Sequence, residues 1–283
     1  MINTKAEIRF WGVRGSIPVP GRKTIKFGGN TACVEISYGG DIIICDAGTG
    51  IRPLGESIMR RYPNGGFSAT ILLSHIHWDH YFGFPFFRPL YNSKNIFLIG
   101  GPKNSNGSFS SAISRVMRPP YFPIPISAIP SKLNIVTIPE KKFQVGEIEV
   151  IPFAVNHPQG AFGWRFNFPN GKSLVHVTDN EPGGKIFRKK IVSVAAGADI
   201  MIHDAQYDDA EYKNKIGWGH SPYKYPLSVA AEAGVKKVFL FHFDPNADDL
   251  YLQKTFIKAK KFFSKLAPRG ACRMAMEGLK IRL

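Results

Sequence analysis

Apolar positions along the chain fall in short runs rich in β-branched residues, each bordered by turn-forming residues. They are EIRFW (7–11), CVEISY (33–38), DIIICD (41–46), ATILLS (69–74), NIFLI (95–99) and NIVTI (134–138). Further along come IEVIPFAV (148–155), GWRFNF (163–168), SLVHVT (173–178), DIMIHD (199–204), KVFLFHF (237–243) and LKIRL (279–283). Their length and borders predict β-strands. Between them the apolar spacing changes to that of amphipathic helices, near 53–62, 109–117, 185–196, 226–234 and 247–267. Strands with helices both between and after them predict an α/β fold of sheets covered by helices. No internal repeat or low-complexity linker divides the chain, so residues 1–283 are expected to form a single domain. The segment RPPYFPIPISAIP (118–130) has five prolines and cannot be a helix; it predicts a surface loop carrying Tyr121 and Phe122.

The composition, 44% hydrophobic and 20% charged, is that of a globular protein rather than a disordered one. No apolar run approaches the roughly 20 residues that span a bilayer, and MINTKAEIRF lacks the apolar core of a signal peptide. A cytoplasmic protein without a membrane partner is the expectation. Cys33, Cys45 and Cys272 are odd in number and widely spaced, which argues against a disulfide framework and against a thiolate zinc site. The net charge of +16 favours polyanions or anionic substrates, with general surface basicity as an equal alternative. The lysines of KAKKFFSK (258–265) interleave with apolar residues as on the solvated face of a helix.

The chemistry concentrates in SHIHWDH (74–80). At the end of a strand His75 and His77 project together, and Asp79 and His80 follow. Four such side chains within six residues point to a metal site rather than to a lone structural histidine. Further candidates end other predicted strands at the same edge: His157 after IPFAVN, Asp179 after SLVHVT and His242 within KVFLFHF. Imidazole and carboxylate donors suit zinc and, less specifically, manganese or iron. His176 and His203 lie out of phase with the neighbouring aspartates and read as structural.

These residues resemble, in chain order and over essentially the whole sequence, the H-x-H-x-D-H signature and later ligands of the metallo-β-lactamase-fold hydrolases; DAGTG (46–50) resembles the turn before that family's first helix. The resemblance implies a four-layer αββα sandwich with two divalent metal ions, with zinc as the first expectation. His75, His77 and His157 would hold the first ion, Asp79, His80 and His242 the second, and Asp179 would bridge both. An aspartate at 179 separates the chain from the true β-lactamases, where that position is commonly cysteine.

MIHDAQY (201–207) and GWGHSPY (217–223) resemble the H-E-A-T and G-H-S-T segments of ribonuclease Z and its phosphodiesterase relatives, with Asp204 in place of glutamate. WGVRGSIP (11–18) and GGNT (28–31) resemble the same branch, which includes cyclic-nucleotide-degrading members. The resemblance implies hydrolysis of a phosphodiester, in a cyclic nucleotide or related small nucleotide, by a two-metal-activated hydroxide. His220, oriented by Asp204, would protonate the leaving oxygen. Arg14, Ser16 and Asn30 are candidate substrate contacts; Tyr121 and Phe122 either stack on a base or pack against the protein. The long arm with which ribonuclease Z grips transfer RNA has no counterpart here, yet a nuclease acting on RNA or DNA remains an alternative. So do a lactone or thioester hydrolase, which needs no Asp204–His220 pair, and a non-catalytic binding protein on the same fold. Relatives commonly form homodimers.

Overall fold

A computed structural model describes residues 5–103 and 107–283. The first four residues, on which part of the N-terminal reading rests, lie outside them. Two seven-stranded sheets carry the fold. The first contains β1 (Glu7–Gly12), β2 (Cys33–Tyr38), β3 (Asp41–Cys45), β4 (Ser68–Leu72), β5 (Ile96–Gly101) and β6 (Lys132–Thr137). The second contains β7 (Phe143–Val145), β8 (Ile148–Val155), β9 (Ala161–Asn167), β10 (Ser173–Val177), β11 (Ile200–Asp204), β12 (Lys237–Phe241) and β13 (Ala271–Met274); β14 (Lys280–Arg282) returns to the first sheet beside β1. Each sheet is antiparallel at one side and parallel at the other.

Central strands such as β3 and β4 are buried on both faces, which requires cover on both. In β3, Ile43 and Cys45 enter the core between the sheets, while Ile42 and Ile44 enter a second core on the outer face. That outer face is covered by α1 (Ile51–Arg61) through Ile51, Leu54 and Ile58, and by α3 (Phe109–Val116) through Phe109 and Ile113. The opposite sheet is covered by α4 (Lys185–Ala195), α6 (Lys224–Glu232) and α7 (Asp249–Leu266). In α7 the buried positions Leu252, Thr255, Ala259 and Phe263 form one helical stripe, leaving the lysines outside. The layers are therefore αββα, as expected.

Short elements escaped the pattern. Trp78–Tyr81 forms a single turn of helix, α2, and Asp209–Tyr212 forms another, α5. Within the proline-rich loop, Ile126–Ala128 makes one 3-10 turn. All three cysteines are free and buried. No helix among the described residues is long and apolar enough to cross a membrane.

The two sheets are stitched together where β1 ends. Phe243 donates its amide to the Val13 carbonyl at 3.0 Å, and the Gly15 amide donates to the Phe243 carbonyl at 3.0 Å. That seam lies beside the carboxyl ends of β3, β4, β8, β10, β11 and β12, from which the candidate site is built.

Candidate metal centre

The chain leaves three of these strands, β3, β10 and β12, through an unusual backbone. Only five described non-glycine residues have positive φ, and four of them, Ser16, Asp46, Asp179 and His242, lie at this edge. Such conformations cost of order 1–3 kcal/mol each and persist where the surroundings enforce them. Here they turn side chains inward from strand ends.

Two donor groups share Asp179: His75, His77, His157 and Asp179 form one, and Asp79, His80, Asp179 and His242 form the other. Asp204, His220 and His242 make a third cluster beside them. Asp179 Oδ1 lies 3.1 Å from His80 Nε2 and 3.0 Å from His242 Nε2. Its other oxygen, Oδ2, lies 3.6 Å from His75 Nε2 and 3.8 Å from His157 Nε2. Asp79 Oδ2 is 3.2 Å from His80 Nε2 and 3.1 Å from His242 Nε2.

Each imidazole that presents Nε2 has its Nδ1 engaged behind it. His80 Nδ1 is 3.0 Å from Asp46 Oδ2, and His75 Nδ1 is 3.0 Å from Ser74 Oγ, which in turn donates to Asp46. His242 Nδ1 meets Gln206 Oε1 at 3.1 Å, and His157 Nδ1 meets the Gly219 carbonyl at 3.1 Å. These partners fix the tautomer that leaves Nε2 as a ligand atom. His77 differs, turning Nδ1 to within 3.2 Å of His157 Nε2. Asp46 was foreseen as a structural residue of the turn; Gln206 and Ser74 were not, and nothing in an isolated glutamine or serine could have marked them.

The electrostatics fit cations. Burial works against ionising Asp179, but His242, His80 and His220 outweigh it and hold the carboxyl well below its usual range. Burial likewise opposes protonation of His80, yet Asp179, Asp79 and Asp46 raise its pKa well above the ordinary value. His75 moves the other way, lowered by burial and by the neighbouring His80, and its buried Nε2 has no hydrogen-bond partner. Anionic oxygens are thus ringed by inward-facing imidazole nitrogens, two of them only 3.2 Å apart (His242 Nε2 and His80 Nε2). Divalent metal ions match this donor set.

Beside it lies Asp204, wholly buried at the end of β11. Its Oδ1 accepts from the Gln206 amide, and its Oδ2 accepts from the Asn180 and Ser221 amides at 3.2 and 3.0 Å. His220 Nδ1 stands 3.3 Å from Asp204 Oδ2 and 3.9 Å from Asp179 Oδ2, ion-pair separations without hydrogen-bond alignment to either. Burial opposes protonation of His220, but Asp179 and Asp204 carry its pKa to about 9. The shorter aspartate therefore still reaches the loop histidine.

Other expected residues divide. Ser16 is exposed at the rim, its amide donating to Asp79 Oδ2 at 2.7 Å and its Oγ accepting from Gln206. Arg14 requires correction as a substrate contact. It is fully buried, and its guanidinium donates to the carbonyls of Gly28, Asp244 and Ala247, anchoring the seam between the sheets. Asn30 is engaged with Glu277 and Thr49 and lines a cavity of about 350 Å³ with them, away from the histidine cluster's own contacts. Tyr121 is 75% exposed, whereas Phe122 is half-buried with its ring edge-on to Phe86. His176 and His203 are buried in the strands, His176 kept neutral with a pKa lowered by burial to about 4.

A family model described as the beta-lactamase superfamily domain matches residues 42–243, which span both donor groups. A ribonuclease Z from Picrophilus torridus is 23% identical over 87% of this chain and 88% of its own. Among solved structures, the metallo-beta-lactamase-fold protein YhfI from Bacillus subtilis superposes with a TM-score of 0.75 at 16% identity, covering 99% of this chain and 100% of that one. Yeast PDE1 superposes with a TM-score of 0.73 at 14% identity over the whole of both chains. Fold, donor set and matched residues agree, and the chain belongs to the metallo-β-lactamase-fold hydrolases of the beta-lactamase superfamily.

Proposed function

We propose that this protein is a dinuclear metal-dependent phosphodiesterase whose substrate is a cyclic nucleotide or related small nucleotide. The observation that carries the reading is the Asp204–His220 pair set against the bridging Asp179. Hydrolysis of an activated ester or lactone has little need of an acid, whereas a nucleotide diester expels a poor alkoxide leaving group. The relative from Picrophilus torridus bears the name of a ribonuclease, which is consistent with phosphodiester chemistry.

His75, His77, His157 and Asp179 would hold one cation, and Asp79, His80, His242 and Asp179 the other. Bound there, divalent ions supply charge neutralisation and a water acidic enough to ionise near neutral pH. The protein's own groups do the rest. Asp204, itself fixed by three backbone amides, faces His220 Nδ1 and favours the imidazolium. With Nδ1 so turned, Nε2 is the nitrogen that delivers a proton to the leaving oxygen. Such positioned acids contribute roughly 10² to 10⁴ in rate. Ser16 Oγ at the rim is a candidate donor to a non-bridging phosphate oxygen, and Tyr121 is exposed for stacking on a base.

Replacing Asp179 by alanine should remove metal and activity together. His220→Ala should retain metal and lose turnover on nucleotide diesters while largely sparing bis-p-nitrophenyl phosphate, whose leaving group needs no proton. Equal activity of His220→Ala and the parent on a nucleotide diester would sink the acid assignment. A second reading, cleavage of an RNA or DNA chain, is favoured by the net charge of +16; it is separated from the first by assaying structured RNA beside 2′,3′- and 3′,5′-cyclic nucleotides.

A further inference from the structure

Glu181 lies two residues beyond the bridging Asp179, belongs to neither donor group, and is nevertheless buried. Both of its carboxylate oxygens are occupied by the loop that carries His220. Oε1 accepts from the Gly217 amide at 2.7 Å and from the Tyr212 hydroxyl at 3.0 Å; Oε2 accepts from the Gly219 amide at 3.0 Å. The backbone of Glu181 is itself held by Asn156, the residue before His157.

The loop cannot hold its shape alone. Gly217 and Gly219 have φ of 89° and 87°, and a Cβ on Gly219 would come within 2.3 Å of His157 Nδ1. Glycine is thus required for close approach, and glycine brings conformational freedom that something else must remove. On the far side of His220, Asp204 receives the Ser221 amide and the Ser221 hydroxyl donates to the Asn180 carbonyl. His220 is consequently suspended between two carboxylates, Glu181 holding the residue before it and Asp204 the residue after it. Between Glu181 and His220, the Gly219 carbonyl accepts from His157 Nδ1. One residue, Gly219, therefore connects His157, the loop histidine and Glu181.

We propose that Glu181 is a positioning residue that clamps the Gly217–His220 loop and so sets the placement of His220. The kinetic half of this inference rests on the reading of His220 as the acid; the structural half does not. A carboxylate is suited to the task because it accepts from several donors and offers none, so each loop amide meets an acceptor. The Glu181→Gln change would keep one acceptor oxygen and turn an amide group towards a backbone N–H.

The test uses Glu181→Ala, Glu181→Gln and His220→Ala in a Trp78→Phe background. A change in anisotropy between variants then reports on Trp218, in the loop itself and 58% exposed, because the buried Trp11 and Trp164 contribute alike to every variant. Glu181→Ala should lower the fluorescence anisotropy of Trp218 and reduce turnover of a cyclic nucleotide roughly tenfold or more. The loss on bis-p-nitrophenyl phosphate should be clearly smaller. Glu181→Gln, which retains one acceptor and serves as the folded control, should fall between parent and alanine on both readouts. Unchanged Trp218 anisotropy in both variants, or an equal loss on the two substrates while His220→Ala discriminates between them, overturns the proposal. If His220→Ala itself fails to discriminate, the acid reading falls instead, and the anisotropy alone decides the clamp.

Discussion

Arg14 and His220 illustrate how burial decides what a charged residue can do. Arg14 sits in a glycine-rich turn of the kind that approaches phosphates, yet its Nε and Nη1 donate to three carbonyls and the whole side chain, the unpartnered Nη2 included, is buried. Arg14→Ala should destabilise the fold by about 2–4 kcal/mol, since buried acceptors lose their partners and a cavity opens; chemical denaturation of the metal-loaded protein measures it. His220 is buried too, but beside carboxylates that favour its proton. Its pKa of about 9 against an ordinary 6.5 means that, between those values, the folded metal-free protein keeps a proton that an exposed histidine would release. Cations neutralising Asp179 and Asp79 reduce that bias. Turnover of a cyclic nucleotide should therefore fall on an alkaline limb lying between about 6.5 and 9, a limb absent in His220→Ala and for the p-nitrophenyl diester. The pH profiles of kcat for the two substrates check this sign. The ligand set was legible at this scale because histidines and aspartates at strand ends are conspicuous. Gln206, Ser74 and Glu181 were not, because their role exists only through partners brought together by folding.

At the scale of elements, the longer strands could be read because central ones such as β3 are apolar on two faces, a demand imposed by the paired cores, while others such as β1 alternate apolar with polar positions. The pattern did not mark β7 and β13. The three residues of β7 and the four of β13 are too short for a period to register, and each forms only because a neighbouring strand offers a free edge. The single-turn helix α2 is likewise a product of context, packed between metal-facing residues. In contrast α7 was legible throughout, down to its start. Asp248 caps it by accepting from the Tyr251 amide at 2.8 Å, and Asp249 accepts from the amides of Lys26 and Phe27. Asp248→Ala should cost about 1 kcal/mol, seen as a lowered melting temperature, with turnover unaffected because the cap lies outside both donor groups.

The whole molecule carries a charge of +16 that the site itself does not account for. Lys254, Lys258, Lys261 and Lys265 lie exposed on one face of α7, and surface charge of this kind raises the encounter rate with any anion. The two substrate readings differ here. A small nucleotide releases few counterions, so kcat/KM should change modestly with salt. A polymer bridging many lysines should lose affinity steeply, by roughly 10³ or more between 50 and 200 mM salt if six or more phosphates are contacted. Measuring kcat/KM for a cyclic nucleotide and binding of a structured RNA across that range separates the two.

A two-metal diesterase with a dedicated acid can be recognised from metal content and diester turnover measured on the same preparations of parent and His220→Ala. Two divalent ions per chain are expected in both proteins, with hydrolysis of at least one nucleotide diester by the parent and a loss of roughly 10² or more in turnover for the variant. A parent protein with both ions bound that hydrolyses neither bis-p-nitrophenyl phosphate, nor cyclic nucleotides, nor RNA would contradict that assignment.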